Sequence, residues 1–305
     1  MDFSAIGQRI RDLRKSLKLS QDELAQGICT QAQISKIEKG DVYPYANTLY
    51  LISQKLGVDV NYFFEIGSTP RVDYVNEVSR QLRLTRRHLL YEEMNRIVKL
   101  EEDNPLFTQN GRNRQLILWH KGVYEHAVNN NVEKSIELLK SAIDLTHVLD
   151  KVWNEREIEV LMSMGAVYVT DNQNEISLKI FLEAKEHLSH LVFISDHSIL
   201  PRLYYNIARV YTRLKQYDES ITYCKNGIKY CLEKDNLFPL AELHYQVSYN
   251  LEKLGKYSDS IYYLNKAISI FELIEDKKYM NLLKEKKSSL ELHYGDITKA
   301  DHSKT

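Results

Sequence analysis

The chain has 305 residues, with 41 Lys/Arg against 42 Asp/Glu and a net charge of −1. Only 5 Pro and 11 Gly are present, where ordinary usage gives roughly 15 and 21; this excludes folds built from many strands and turns and favours long helices joined by short loops. The 43% hydrophobic and 27% charged fractions exclude wholesale disorder, and the missing global positive field means that any nucleic-acid contact comes from a local patch.

Cys29, Cys224 and Cys231 are too few for a disulfide framework. Cys224 and Cys231 lie seven apart, a rise of about 10 Å on one helix and out of bridging reach. Free thiols in a reducing compartment are expected. The first 30 residues are charged throughout, and no run of 18 apolar residues exists. Neither a signal peptide nor a membrane span is expected, and the expected location is the cytoplasm.

Residues 1–66 read as five short helices. Ile6, Ile10, Leu13 and Leu17 recur at helical spacing. Ser20 reads as the N-cap of a second helix, with Glu23 at capping-box spacing and Leu24 and Ile28 as its apolar stripe. After a break at Cys29 and Thr30, residues 31–39 form a third helix. It turns Ile34 and Ile37 inward, leaves Gln31, Gln33 and Lys36 free, and closes on Gly40. Leu49, Ile52 and Leu56 make a fourth helix ending at Gly57, and Val60, Phe63 and Phe64 a fifth. Two short helices joined tightly, the second with outward Gln and Lys, have helix-turn-helix geometry. Gln can bond adenine bidentately, and Lys can reach guanine or phosphate. Arg9, Arg11, Arg14, Lys15 and Lys18 make the first helix locally basic, although residues 1–66 carry eight charges of each sign. Dimerisation adds to so modest an attraction for phosphate.

The string IGQRIRDLRKSLKLSQDELAQGICTQAQISKIEKGDVYPYANTLYLISQKLGV resembles the helix-turn-helix of the lambda-repressor/Cro superfamily. Within it, ICTQAQISKIEKGDVYP is similar to the PlcR-like, RRNPP-type family of peptide-pheromone-responsive regulators. The resemblance implies an internal ion pair between Arg14 and Glu38 and a phosphate-positioning role for Gln21. It places Gln31, Ala32, Gln33 and Lys36 towards the bases, and Thr30 at the turn completes the candidate DNA-binding set.

Gly67 to Pro70 mark a boundary. Val72 to Leu100 then reads as helical, with Val75, Val78, Leu82, Leu89 and Leu90 as candidate buried positions beside Arg80, Arg83, Arg86 and Arg87. By resemblance, residues 67–90 are a linker helix that contacts a second protomer, and Arg87 is a peptide-binding position.

From Trp119 onward the chain repeats itself. Ser135, Ser177, Ser220 and Ser260 are spaced 42, 43 and 40 residues apart. Four residues after each anchor come Leu139, Phe181, Cys224 and Leu264; seven after, Ala142, Ala184, Gly227 and Ala267; twelve before, Val123, Gly165, Ala208 and Ser248. Small residues stand where two helices approach closely and large ones where a gap is filled. The pattern resembles tetratricopeptide repeats of a long kind. It gives four readable copies, a degenerate one around Tyr91 to Leu106, and a capping helix over Tyr279 to Leu292.

Stacked helix pairs curve into a superhelix whose concave wall is built by each first helix. Register places His120, Met162, Tyr205 and Tyr245 on that wall, with Lys121, Ser163, Asn206 and Gln246 beside them, and Tyr124, Ala166, Arg209 and Tyr249 one turn on. Arg202, Asn206, Arg209 and Arg213 run down one face at steps of four, three and four. Such donors suit an extended peptide, since Asn can bond both backbone groups and Arg can clamp a carboxylate. Tyr205, Tyr245 and Tyr249 supply apolar walls, and Gln246 joins the candidate set. The resemblance implies that a short signalling peptide binds here and that Asn206 is one of its contacts.

No GxxxxGK[ST], GxGxxG, HExxH, GxSxG or CxxC string occurs, and His187, His190 and His197 lack companions at metal-ligand spacing. No catalytic residue, metal or cofactor is expected. The expected chain is all-α: a five-helix helix-turn-helix head over 1–66, a linker helix over 67–90, a right-handed tetratricopeptide superhelix over 91–294 and a frayed tail over 295–305. Its expected function is peptide-controlled transcription regulation, activation by resemblance, exercised by a homodimer on a palindromic operator in double-stranded DNA. Two readings stay open beside it: a repeat protein that regulates a phosphorelay component, and a ligand-independent phage-type repressor.

Overall fold

A computed structural model describes residues 2–68, 71–149 and 152–302, side chains 68 and 293–302 excepted. Among them are seventeen α-helices and no β-strand. They form two compact units, Met1–His120 and Lys121–Thr305. The division falls at 120/121, so residues 91–120, expected to open the repeats, belong to the first unit. Thr69 and Pro70 of the expected boundary lie outside the described residues.

The first unit begins with α1 (Phe3–Ser16), α2 (Gln21–Ala25), α3 (Gln31–Lys39), α4 (Ala46–Leu56) and α5 (Val60–Ser68). Ile6, Ile10, Leu24, Ile34, Ile37, Leu49, Ile52, Leu56 and Phe63 make one buried core. Local chemistry fixes the ends of its helices. Ser20 and Glu23 form a reciprocal capping box. Thr30 accepts the Gln33 N–H at the start of α3, and Gly40 ends that helix at φ 79°. α1 crosses α3 so closely that a Cβ on Gly7 would stand 2.1 Å from the Ile37 carbonyl oxygen.

The stretch from Val72 to Leu100 is two helices, α6 (Val72–Arg87) and α7 (Tyr91–Glu101), followed by the short α8 (Pro105–Thr108). Val75, Val78 and Leu82 are buried as expected, but Leu89 and Leu90 are exposed. The break between α6 and α7 explains this: Leu89 takes φ 57°, which turns the chain off the helical stripe.

α9 (Gly111–Ala127) crosses the division and pairs with α10 (Val132–Asp144). Then follow α11 (Glu155–Thr170) with α12 (Asn174–Ser189), α13 (Ile199–Arg213) with α14 (Tyr217–Glu233), α15 (Leu240–Lys253) with α16 (Tyr257–Leu273), and α17 (Lys277–His302). The helix α17 runs to His302, through most of the tail expected to fray from 295; residues 303–305 lie outside the described residues.

The four anchor serines are fully buried, and each donates its hydroxyl back to the partner helix. The acceptors are the carbonyls of Gly122 at 2.7 Å, Gly165 at 2.9 Å, Ala208 at 2.7 Å and Ser248 at 2.8 Å. Serine therefore marks the closest crossing within a repeat, where a buried hydroxyl must find a partner. In the first copy the small residue is Gly122, thirteen before the anchor, so the register expected from Val123 slips by one. Five residues before each anchor the chain turns through the left-handed region, at Asn130, Asn172, Lys215 and Gly255. Cys224 and Cys231 are buried free thiols and Cys29 is half-buried; burial pushes Cys224 up and Cys231 to about 11.

Candidate functional site

Two surfaces carry the candidate residues, one on each unit. On the head, Arg14 of α1 is buried against Glu38 at the end of α3. Its Nε and Nη2 donate to the two carboxylate oxygens at 2.5 and 2.9 Å, and Nη1 donates to the Leu19 carbonyl at 2.7 Å. Burial alone raises the Glu38 pKa, but hydrogen bonds from Arg14 and Gln21 more than reverse this, so the group sits below its ordinary value. Gln21 Nε2 donates to Glu38 at 2.8 Å, and Gln21 Oε1 accepts from Gln31 Nε2 at 2.7 Å. A chain of polar contacts thus runs from the buried pair to the outer face of α3.

Thr30, Gln31, Ala32 and Lys36 are exposed on that face. Gln33 is half-buried. The basic face of α1 is also partly spent. Arg14 points inward, and Arg9 donates to the Tyr62 hydroxyl at 2.5 Å.

On the repeats, α13 presents its four donors unequally. Arg202, with 15% of its side chain exposed, donates to Glu159 of α11 at 2.6 Å. Arg213 donates to the Val169 carbonyl and, at 3.4 Å, to Asn172. Both arginines therefore bind the preceding repeat, which corrects their placement as free wall donors. Arg202 and Glu159 stand eighteen before their own anchors, so opposite charges at one register position of neighbouring repeats is the sequence signal for such a tie.

Gln246 is likewise buried. It donates to Thr212 at 2.6 Å; Thr212 donates to Asn250 at 2.8 Å, and Asn250 to Ser220 at 2.7 Å. This polar seam between the third and fourth repeats was not legible from any one repeat. Met162 and His120, expected on the wall, are buried too.

The half-buried face that remains comprises Tyr205, Asn206, Arg209, Tyr245 and Tyr249. The guanidinium of Arg209 lies 5.7 Å from the Tyr205 ring centre. Lys253 and Lys286 flank the Tyr249 ring at 5.2 and 5.5 Å. Packing raises the Tyr205 phenol to about 12 and pushes Tyr245 up, so both are neutral apolar walls at pH 7. The face offers aromatic rings, one amide and cations, a set suited to an extended chain with an acidic group. Arg87 is exposed at the end of α6, in the first unit.

The C-terminal domain model of the RNPP family matches residues 80–291. The chain belongs to the RNPP family. A helix-turn-helix model matches residues 10–63, which hold the Arg14–Glu38 pair and α3. No curated protein sequence matches. Among solved structures, this RNPP chain is similar to Bacillus thuringiensis PlcR in complex with the peptide PapR7 and DNA, with a TM-score of 0.85 at 20% identity over 92% of this chain and 99% of that one. ComR from S. thermophilus, in complex with DNA and its signalling peptide ComS, gives a TM-score of 0.64 at 15% identity over 93% and 99%. The Streptococcus dysgalactiae SHP pheromone receptor Rgg2 gives 0.63 at 14% over 93% and 99%. At these identities the likeness speaks for the fold.

Proposed function

We propose that the chain is a DNA-binding transcription regulator whose activity is set by a short signalling peptide held on the inner face of its repeats. The observation that carries this reading is the presence, in one RNPP chain, of an α3 with an exposed Thr30–Gln31–Ala32–Lys36 face and of an aromatic–cationic face around Asn206 and Arg209. Solved relatives of the same fold that are complexed with DNA and a signalling peptide support it. α3 enters the major groove, where Gln31 reads a base edge and Lys36 takes guanine or a phosphate. Asn206 bonds the peptide backbone, Arg209 takes a carboxylate, and Tyr205, Tyr245 and Tyr249 cover the apolar side chains.

A homodimer supplies two heads for a palindromic operator, and the peptide shifts the population of head placements towards the one that fits both half-sites. Activation is the sign of regulation in this reading. No described helix is long and apolar enough to cross a membrane, and the reading places the protein in the cytoplasm, as a regulator rather than an enzyme. Footprinting the full chain with and without candidate peptides of about five to ten residues tests it. A palindromic footprint that responds to one peptide is expected. Protection indifferent to every peptide that binds would overturn the control mechanism, and no sequence-specific protection would overturn the function.

A further inference from the structure

The first helix of each repeat builds the inner wall, which leaves the second helices on the outside of the second unit. Two grooves lie on these outer helices. One, of about 560 Å³, runs along α12 and is lined by Glu175, Leu178, Lys179, Leu182, Glu183 and Glu186. The other, of about 450 Å³, runs along α14 towards α16, with Lys225, Ile228, Lys229, Leu232, Glu233 and Lys266 among its lining. Their charges are inverted. Three carboxylates stand against one ammonium in the first groove, and three ammoniums against one carboxylate in the second. Each also leaves a leucine open to solvent, Leu182 at 36% and Leu232 at 64% exposure.

Register places the two faces alike. Glu186 and Lys229 each stand nine residues after their anchors, Ser177 and Ser220, and Glu183 and Lys266 each six after Ser177 and Ser260. Neighbouring repeats thus present opposite charges at equivalent places, yet these charges are not spent on one another. Glu183 lies 3.6 Å from His187 and Lys229 lies 3.8 Å from Glu233, each on its own helix. No ion pair joins α12 to α14 or α16 among the described residues. Glu183 with Glu186, and Lys225 with Lys229, are like charges three and four residues apart, spacings at which repulsion weakens a helix. A surface of opposite sign relieves both pairs.

We propose that a second copy of this chain supplies that surface: the acidic face of α12 in one copy packs on the basic face of α14 and α16 in the other. A two-fold axis passing between α12 and α14 makes the contact twice, because it brings each copy's basic face to the other's acidic one. The pair then closes on itself instead of growing into a filament. Leu178 and Leu182 of one copy meet Ile228 and Leu232 of the other, so apolar area is buried where the charges pair. The contact uses no residue of the first unit and none of the wall around Asn206 and Arg209, and it does not depend on peptide or DNA binding.

Sedimentation velocity of the full chain, over a concentration series at low and high salt, tests the contact. An association step that weakens as salt rises is expected. Lys225→Glu with Lys229→Glu, and separately Glu183→Lys with Glu186→Lys, should each weaken that step at least about tenfold, since every reversal acts twice across the axis. All four side chains are exposed, so the melting temperatures should hold. The decisive sample is an equimolar mixture of the two variants. One is acidic on both faces and the other basic on both, so the mixture should associate as tightly as the parent while each variant alone does not. A parent chain without the salt-sensitive step would overturn the proposal. Variants that associate like the parent would overturn it too, and would assign any dimer to another surface, leaving the homodimer of the proposed function intact. A mixture no tighter than its components would overturn the pairing of the two faces.

Discussion

Arg14 and Glu38, 24 residues apart, meet in a two-pronged ion pair with both side chains buried. The pair joins α1 to the last turn of α3, and its outer edge reaches Gln31 through Gln21. Breaking it therefore touches both the stability of the head and the placement of a base-facing residue. Removing one partner leaves the other charged, buried and unpaired, at a cost of about 3–5 kcal/mol. Arg14→Ala should lower the opening free energy of α1 and α3 amides by that amount, read by hydrogen exchange on the full chain. Exchange unchanged in those helices would contradict it.

The same pair gives the head a pH dependence of definite sign. The folded Glu38 carboxyl lies below its ordinary value of 4.5. Its stabilisation is thus complete above that value and is lost as pH falls through the lower, folded one. Exchange protection of α1 and α3 should decline on acidification below about pH 4.5 and change little from this group at neutral pH. Glu38→Gln should flatten that decline. A wild-type profile that is already flat would remove the assignment.

The exposed face of α3 predicts two separable effects on DNA. Gln31→Ala removes a candidate base contact and should cost about 1–3 kcal/mol at one operator position, relaxing specificity there. Lys36→Ala, if its contact is a phosphate, should weaken binding across sequences and reduce the salt slope by about 1. A salt-titrated footprint distinguishes the two, and the double variant should lose the site. Full protection by the double variant would show that another surface reads the operator. Gln33→Ala should have the smaller effect, since Gln33 is half-buried.

Arg202 and Asn206 sit one turn apart yet should behave oppositely. Arg202 is tied to Glu159, only 9% of whose side chain is exposed. Arg202→Ala removes the arginine partner of that carboxylate and should cost up to about 3–5 kcal/mol of repeat stability. The Asn206 side chain makes no hydrogen bond among the described residues, so Asn206→Ala should leave the melting temperature within a degree or two. Its loss should instead weaken a cognate peptide about tenfold, as should Arg209→Ala. Native mass spectrometry beside thermal melting separates the outcomes. Peptide binding unchanged in both Asn206→Ala and Arg209→Ala would remove the wall as the peptide site.

The contrast between those two residues shows what was legible in the sequence. The helix pairs were readable because Ser220 answers Ala208 across a single crossing, twelve residues apart, and the same pairing recurs at Ser177 and Ser260 and, slipped by one residue, at Ser135. The capping box at Ser20 and the αL glycine at Gly40 were readable because one or two residues carry the whole cause. Arg202, Arg213 and Gln246 were misplaced for the opposite reason. Their partners Glu159, Val169 and Thr212 lie 43, 44 and 34 residues away. How one repeat stacks on the next decides whether such side chains face a ligand or a neighbour, and periodicity within a chain describes only each repeat's own face. Leu89 and Leu90 failed through a local break that no Gly or Pro announced.

Lys215 is a similar unannounced turn, and it yields a prediction about stability alone. It holds φ 60°, in the slot occupied by Asn130, Asn172 and Gly255 in the other repeats. The left-handed conformation costs an L-residue about 1–2 kcal/mol, whereas Asn tolerates it and Gly takes it freely. Lys215 is exposed, so no packing offsets the strain. Lys215→Gly trades this strain against the extra backbone freedom glycine has in the unfolded chain, a loss of up to about 1 kcal/mol. Lys215→Asn relieves part of the strain without that loss. Both variants should be at least as stable as the parent, by up to about 1 kcal/mol, which in a unit of this size raises the melting midpoint by roughly 2–4 °C. Gly255→Lys should move the midpoint the other way by a comparable amount. Lys215→Asn and Gly255→Lys shifting the midpoint in the same direction would show that the slot imposes no common backbone requirement.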